Sequence, residues 1–135
     1  MIIMKAISTR VTKGLPVGAE MVCADNTGAK IVKLISVRGY KGKRRTKPSA
    51  GVAGWISVKV IKGDEKVRHE VHKAVIIRQR RPFRRSNGMR VAFEDNAVVL
   101  VSDKGDARGS IIKGPVAREA VERFSTIGKI ANQVV

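Results

Sequence analysis

The residues with chemical potential in this chain are cations, gathered into two short stretches. Arg38 to Ala50 carries Arg38, Lys41, Lys43, Arg44, Arg45 and Lys47, with no acidic residue among them. Arg78 to Arg90 carries Arg78, Arg80, Arg81, Arg84, Arg85 and Arg90, again with none. The chain's formal net charge is +17, so these two stretches hold most of it. Cations packed this closely lie within the roughly 8–10 Å Debye length of physiological salt and repel one another. A solvated surface ordinarily mixes both signs, whereas an unopposed cluster is relieved only by a polyanion. The chemistry on offer is phosphate recognition, with arginine making forked hydrogen bonds to phosphate oxygens.

Nucleic acid is the expected polyanion, because a pI near 11 with clustered Arg and Lys is its electrostatic footprint. An anionic membrane would also attract such charge, but would call for an amphipathic helix with Trp, Phe or Leu beside the cations. The only aromatics in the two stretches are Tyr40 and Phe83. No apolar run approaches the ~20 residues of a membrane span, so no membrane partner is expected. Met1–Ile7 is too short for a signal peptide and is followed by no cleavage-site pattern. The single cysteine, Cys23, excludes an internal disulfide framework, suits a reducing cytoplasm and reads as a small buried hydrophobe.

No catalytic constellation emerges, and no cofactor or metal is implied. His69 and His72 stand three apart on an expected strand, which would send their imidazoles to opposite faces, and both read as surface residues. No Cys or His cluster elsewhere would complete a metal site. Asp25, Asp64, Asp95, Asp103 and Asp106 fall in or near turn-like segments, where a carboxylate capping its own backbone accounts for them. Gly105 and Gly109 flank Asp106-Ala107-Arg108 without a phosphate-loop lysine at the required spacing.

The elements that must carry the cations read as strands. At 135 residues the chain is one domain, large enough to bury roughly two-thirds of its unfolded surface. Its apolar residues are mostly β-branched and occur in short runs between turn signals: Glu20–Ala24, Lys30–Val37, Val52–Ile61, Val71–Ile77 and Ala97–Val101. Ile31, Val32, Leu34 and Ile35 break strict alternation, so that strand is either buried on both faces or bulged. Strands so spaced, with no helical period between them, indicate a small closed barrel rather than a parallel sheet. Gly114-Pro115 reads as a helix start, followed by loose helical spacing over Val116–Phe124 and a further turn near Ile127–Asn132. Glu119 and Arg123 stand in the favourable i, i+4 order.

Both basic stretches fall between strands, as loops or hairpin arms projecting from the barrel. Their self-repulsion predicts disorder in the absence of RNA. Five aromatics are too few for a single-strand reader that stacks bases, so structured RNA recognised by shape and phosphate position is the better match. With ~6–10 phosphate contacts, affinity would fall roughly 10³–10⁵-fold between about 50 and 200 mM salt. Two other classes remain open: a general RNA/DNA-binding chaperone with a β-barrel core, and a protein-docking module using the near-neutral segment Val91–Val135.

Several segments together resemble the ribosomal protein L14 family of the large subunit, archaeal/eukaryotic type. The family signature fits Ala74-Val75-Ile76-Ile77, nine residues, Asn87-Gly88, four residues, Phe93, two residues, Asn96, two residues, Val99-Leu100. Cys23-Ala24-Asp25-Asn26-Thr27-Gly28-Ala29-Lys30 and Gly114-Pro115-Val116-Ala117 are also typical of the family. Gly14-Leu15-Pro16-Val17-Gly18-Ala19 and Arg78-Gln79-Arg80 look like the archaeal and eukaryotic branch. The similarity runs from about Gly14 to the tail, and the first thirteen residues carry no assigned role.

The resemblance implies a mainly β fold: a small closed five-stranded β-barrel with a projecting β-ribbon and short C-terminal helices. Residues 1–135 would form a single domain, with the barrel core over about 14–114 and the helical portion over about 115–135. It implies a cytoplasmic ribosomal protein that binds large-subunit rRNA and helps bridge to small-subunit rRNA. Its further implied partners are neighbouring large-subunit proteins and, in this branch, the anti-association initiation factor. Charge, not the family signature, selects the two arms as the RNA-binding residues. Lys113, Arg118 and the tail are candidates for protein-facing surface.

Overall fold

Runs of β-branched residues broken by Gly, Asp and Asn form the strands of a barrel in the computed structural model, which describes residues 5–40, 42 and 44–135. In chain order the elements are β1 (Leu15–Pro16), β2 (Glu20–Cys23), β3 (Ala29–Val37), β4 (Ser49–Ala50), β5 (Trp55–Gly63), β6 (Val71–Arg78), β7 (Phe83–Arg84), β8 (Arg90–Val91), β9 (Ala97–Val101) and β10 (Ile112–Val116). The helices α1 (Arg118–Arg123) and α2 (Ser125–Ile130) follow, and then β11 (Ala131–Val134). The closed barrel has the order β2–β3–β5–β6–β9. Every neighbouring pair is antiparallel except β2–β9, which is parallel. Its members are the five expected strands, with ends shifted by up to three residues. The largest shift is at β5, which starts at Trp55 because Gly54 N–H donates to Gly51 O and turns the chain first.

The broken alternation of β3 is resolved as bulging. Its pairing with β5 slips at Ala29/Ile31, Ile31/Val32 and Leu34/Ser36, while Val32 and Leu34 point into the core and Ile35 stays exposed. Each slip inserts an unpaired residue and tightens the strand's twist, as closure of a small barrel demands. Val58 and Val60 of β5 are fully buried and Lys59 between them is exposed, the expected two-residue period. Ala74–Ile77 and all of β9 are buried without alternation. Such runs mark strands covered on both faces. Here Val116, Ala117, Ala120, Phe124 and Ile127 join the barrel residues in one core, and Ala117 N–H donates to Ile77 O at 3.1 Å. Phe124 meets the edge of Trp55 at 5.6 Å between ring centroids.

The helix start differs from expectation. Gly114 and Pro115 belong to β10, and α1 begins only at Arg118. Val116 O accepts from Val135 N–H, and Pro115 and Val116 pair in parallel with Gln133 and Val134 of β11, so the chain stays extended through this region. Pro115 lies where the β10–β11 register shifts, so its missing N–H does not interrupt a regular ladder. Gly114 has φ +80, and a Cβ there would lie 2.6 Å from Arg78 Nη1, so both conformation and space require glycine. The expected second helical turn is α2, but it ends at Ile130, and Ala131–Val134 form a strand that sequence spacing did not indicate.

Asp25 secures the closing seam. Val22 N–H donates to Asn96 O and Ala24 N–H to Val98 O, and beyond the last main-chain bond Leu100 N–H donates to Asp25 Oδ2 at 2.9 Å. Asp25 Oδ1 accepts from Thr27 Oγ1, Thr27 N–H and the Cys23 thiol at 2.6, 3.3 and 3.0 Å. The expected local turn cap is present, with a long-range strand clamp added to it. Asp25→Ala leaves buried donors unsatisfied and is expected to cost roughly 2–3 kcal/mol. A lowered urea midpoint at unchanged m-value checks this, and an unchanged midpoint would contradict it.

Cys23 is buried, as expected for a small apolar residue, and its thiol also serves as a donor. Burial, followed by the adjacent Asp25 charge, pushes the thiol up from an ordinary 9.0 to about 12. Unfolding therefore releases a proton above about pH 9, so this contribution to stability is complete below pH 9 and declines as pH rises toward 12. Cys23→Ser keeps the donor and removes the titration. Above pH 9, its urea midpoint should fall less steeply than that of the wild type.

Candidate nucleic-acid interface

The second basic stretch is a short hairpin continuing from β6. Phe83 pairs with Val91 and Arg84 with Arg90, which sets two exposed arginines directly opposite each other. Like charges in that position destabilise a strand pair. Two internal anchors hold the pair together. Phe83 is 1% exposed, and the Arg85 guanidinium donates to both Glu119 carboxylate oxygens at 2.8 and 3.2 Å. Arg85 also donates to Val135 O, tying the hairpin to the tail. At the tip, Gly88 N–H donates to Arg85 O, Arg85 N–H to Met89 O, and Asn87 Oδ1 accepts from Met89 N–H. The expectation of a disordered second arm is thus corrected: Asn-Gly turn chemistry and two buried anchors fold it.

Two of its six basic residues face inward. Arg78 is 6% exposed; its Nε and Nη2 donate to Asp95 at 2.9 and 3.2 Å, and its Nη1 to Lys113 O and Pro115 O. Burial and these bonds take Arg78 out of the phosphate-facing set and make it a fastener joining β6, the turn before β9, and β10. Asp95, expected to cap its own turn, is the carboxylate that holds it. Arg85, with a side chain 12% exposed, is the second inward residue. Arg80, Arg81, Arg84 and Arg90 are exposed. The expected Glu119–Arg123 helix pair does not form, because Arg85 takes Glu119 and Arg123 donates instead to Lys5 O and Ala53 O.

In the first stretch Arg38, Arg44, Arg45 and Lys47 are exposed, while Lys41 and Lys43 lie outside the described residues. Tyr40 Oη donates to Lys47 O across the base of the loop, and β4 after it pairs with β1. Arg38 stacks over the Trp55 ring, 4.0 Å from its centroid. Lys113 and Arg118 are exposed on the C-terminal side, apart from both arms in sequence.

Several organising residues gave no sequence signal. Gln79 is fully buried: its amide donates to Thr12 O and Arg81 O and accepts from Val52 N–H, joining the N-terminal segment, the hairpin and the approach to β5. Lys33 and Lys59 are register partners on the exposed barrel surface, a like-charged pair that only strand pairing brings together. His69 lies in a turn with φ +65 rather than in a strand. His72 is not a surface residue; its ring packs between Arg108, at 3.2 Å from Nδ1, and Glu70, at 3.0 Å from Nε2. Among the described residues no cluster of three or more His, Cys, Asp or Glu could hold a metal ion, and no helix is long and apolar enough to cross a membrane.

A closed barrel presenting two acid-free cationic segments defines a polyanion-binding scaffold. Residues 14–135 match the family described as Ribosomal protein L14p/L23e, and the chain belongs to that family. It is 54% identical to the large ribosomal subunit protein uL14 of Thermoplasma volcanium over 132 residues, covering 98% of this chain and 100% of the relative. The uL14 proteins of Halobacterium salinarum and Methanocorpusculum labreanum are 48% and 44% identical over the same coverage. These are structural ribosomal proteins, which sets the enzymatic classes aside and agrees with the archaeal/eukaryotic type expected from the motifs.

The two kinds of arginine separate in a stability measurement. Arg85→Ala strands the nearly buried Glu119 carboxylate and is expected to destabilise by about 3 kcal/mol, whereas Arg84→Ala should stay within about 0.5 kcal/mol. Equal urea midpoints for the two variants would refute the anchoring role.

Proposed function

We propose that this chain serves as a structural constituent of the large ribosomal subunit, fastening large-subunit rRNA through exposed cations on a rigid mount. The observation that carries the reading is the Arg84–Arg90 pair, two like charges held opposite each other by internal anchors and facing solvent. Arg80, Arg81, Arg84 and Arg90 form no ion pair with an Asp or Glu among the described residues, so phosphate is their missing counter-charge. The first arm supplies Arg38, Lys41, Lys43, Arg44, Arg45 and Lys47. Arg78 and Arg85 support the mount instead of touching RNA.

The barrel and tail act as one domain, because the helices complete the barrel's own core. In the assembled ribosome, in the cytoplasm, this protein contributes to the intersubunit interface and to bridges with small-subunit rRNA. Neighbouring large-subunit proteins and the anti-association initiation factor would meet the C-terminal side, where Lys113 and Arg118 are exposed. That side exposes Ile111, Val134 and Val135 alongside its cations, and Arg118 N–H donates to Val135 O, a mixture that suits a protein contact rather than RNA alone.

The arm assignment is tested with Arg80, Arg81 and Arg84 changed together to Ala, leaving both internal fasteners intact. Expected is an unchanged melting temperature, with loss of the protein from large subunits at lower salt on sucrose gradients. Co-sedimentation matching the wild type across the salt series would remove the hairpin from the RNA interface.

A further inference from the structure

Ala6–Val11 and Lys13, which precede the family match, line one side of a cleft whose other side includes Arg38 of the first arm. The cleft has a volume of about 580 Å³ and lies between this segment, the root of the first arm and the start of β5. That falls within the roughly 300–1,000 Å³ of small-ligand sites, room enough for one nucleotide. Its lining includes Arg10, Lys13, Arg38 and Arg123, and no acidic residue. Arg10, Lys13 and Arg38 are exposed. Tyr40, with Lys13 Nζ 5.9 Å from its ring centroid, provides an aromatic wall, and Trp55 lies buried beneath Arg38. The Trp55 indole N–H is buried and finds no acceptor among the described residues.

The segment is held in place by bonds from the barrel. Arg123 Nε donates to Lys5 O, Gln79 Nε2 donates to Thr12 O, and Thr9 is 8% exposed. Arg10 and Lys13 are therefore presented on a fastened strap, which reduces the ordering cost of binding. Acid-free lining, nucleotide-scale volume and the Tyr40 ring fit a phosphodiester with its attached nucleotide, where the backbone meets cations and a base face meets that ring.

We propose that this cleft is a third RNA contact, taking one backbone phosphate and its nucleotide between Arg10 and Lys13 on the N-terminal strap and Arg38 and Tyr40 on the arm. The proposal rests on the rRNA-binding reading. It adds a role for the N-terminal segment and makes the strap and the first arm two sides of one site.

The full chain is titrated with deproteinised large-subunit rRNA over a salt series, with bound protein measured by filter retention and Trp55 emission followed in parallel. Trp55 is the chain's only tryptophan and sits beneath Arg38, so a phosphate drawn to that guanidinium alters its emission. Expected is an emission change on binding by the wild type. For Arg10→Ala/Lys13→Ala, the log–log salt slope should be shallower by about 1–2 and the emission change smaller, at unchanged melting temperature. The Arg80/Arg81/Arg84 triple variant should keep the emission change while losing affinity. A strap variant with wild-type affinity and slope overturns the proposal and leaves the arm reading standing. Wild-type protein that does not retain rRNA overturns both.

Discussion

The parallel seam between β2 and β9 is the constraint on which the remaining structure depends. The other four barrel pairings are antiparallel, and only this pair joins the first strand of the barrel to its last. Only Val22–Ala97 and Cys23–Val98 are in register there, so main-chain pairing is brief. The Asp25 carboxylate extends it by accepting the Leu100 N–H, and Lys113 N–H donates to Ala24 O on the outer side. The seam therefore also positions β10, and through it α1, which packs with β10 against β6. Without closure, the hydrophobic exterior of β6 would lose that cover, and the hairpin following β6 would have no fixed base.

Charge is distributed to suit that architecture. The chain has 28 basic and 11 acidic residues, and several of the acids act as fasteners of the fold rather than beside the exposed cations. Asp25 closes the barrel, Asp95 holds Arg78, and Glu119 holds Arg85. Acids used on inward-facing arginines are not available to the exposed ones, so rigid mounting and unopposed surface charge arise from the same allocation. The cost is repulsion between neighbours such as Arg84 and Arg90, offset by burial of Phe83 and by the Arg85–Glu119 pair. A flexible arm could lower that repulsion by spreading apart. A folded hairpin retains it until phosphate arrives, which favours binding over the free state.

The strands were legible because their signals are local. β-Branched runs bounded by turn residues placed all five barrel members, and the irregular spacing in β3 was visible as an irregularity before its bulges were seen. The helix start was misplaced because Gly-Pro is a common entry to a helix, while here Gly114 makes room for Arg78 and Pro115 sits in a strand. That competing demand comes from a residue far away in sequence. The same holds for β11, Gln79 and the Arg85–Glu119 pair, whose partners lie tens of residues away. The two arms were legible as charge, but not as a division between inward and outward side chains.

That division follows from what a guanidinium can do. Arg78 meets a carboxylate edge and two carbonyls at once, a planar fork that the point charge of lysine cannot reproduce. Arg84 and Arg90 carry the same group and differ from Arg78 only in what surrounds them. Arg78 lies within an unbroken buried run, Ala74 to Gln79, so its side chain emerges among covering elements and must find partners there. Arg84 alternates with buried Phe83 on a two-residue strand, so its side chain points to solvent. The identity of the residue sets the capacity for phosphate or carboxylate, and the strand's burial pattern decides which one it meets. Applied along the chain, the same rule separates buried fasteners from exposed cations at the hairpin and leaves the N-terminal strap, where Arg10 and Lys13 stand out from a segment held down by Thr9 and Thr12, on the exposed side of the division.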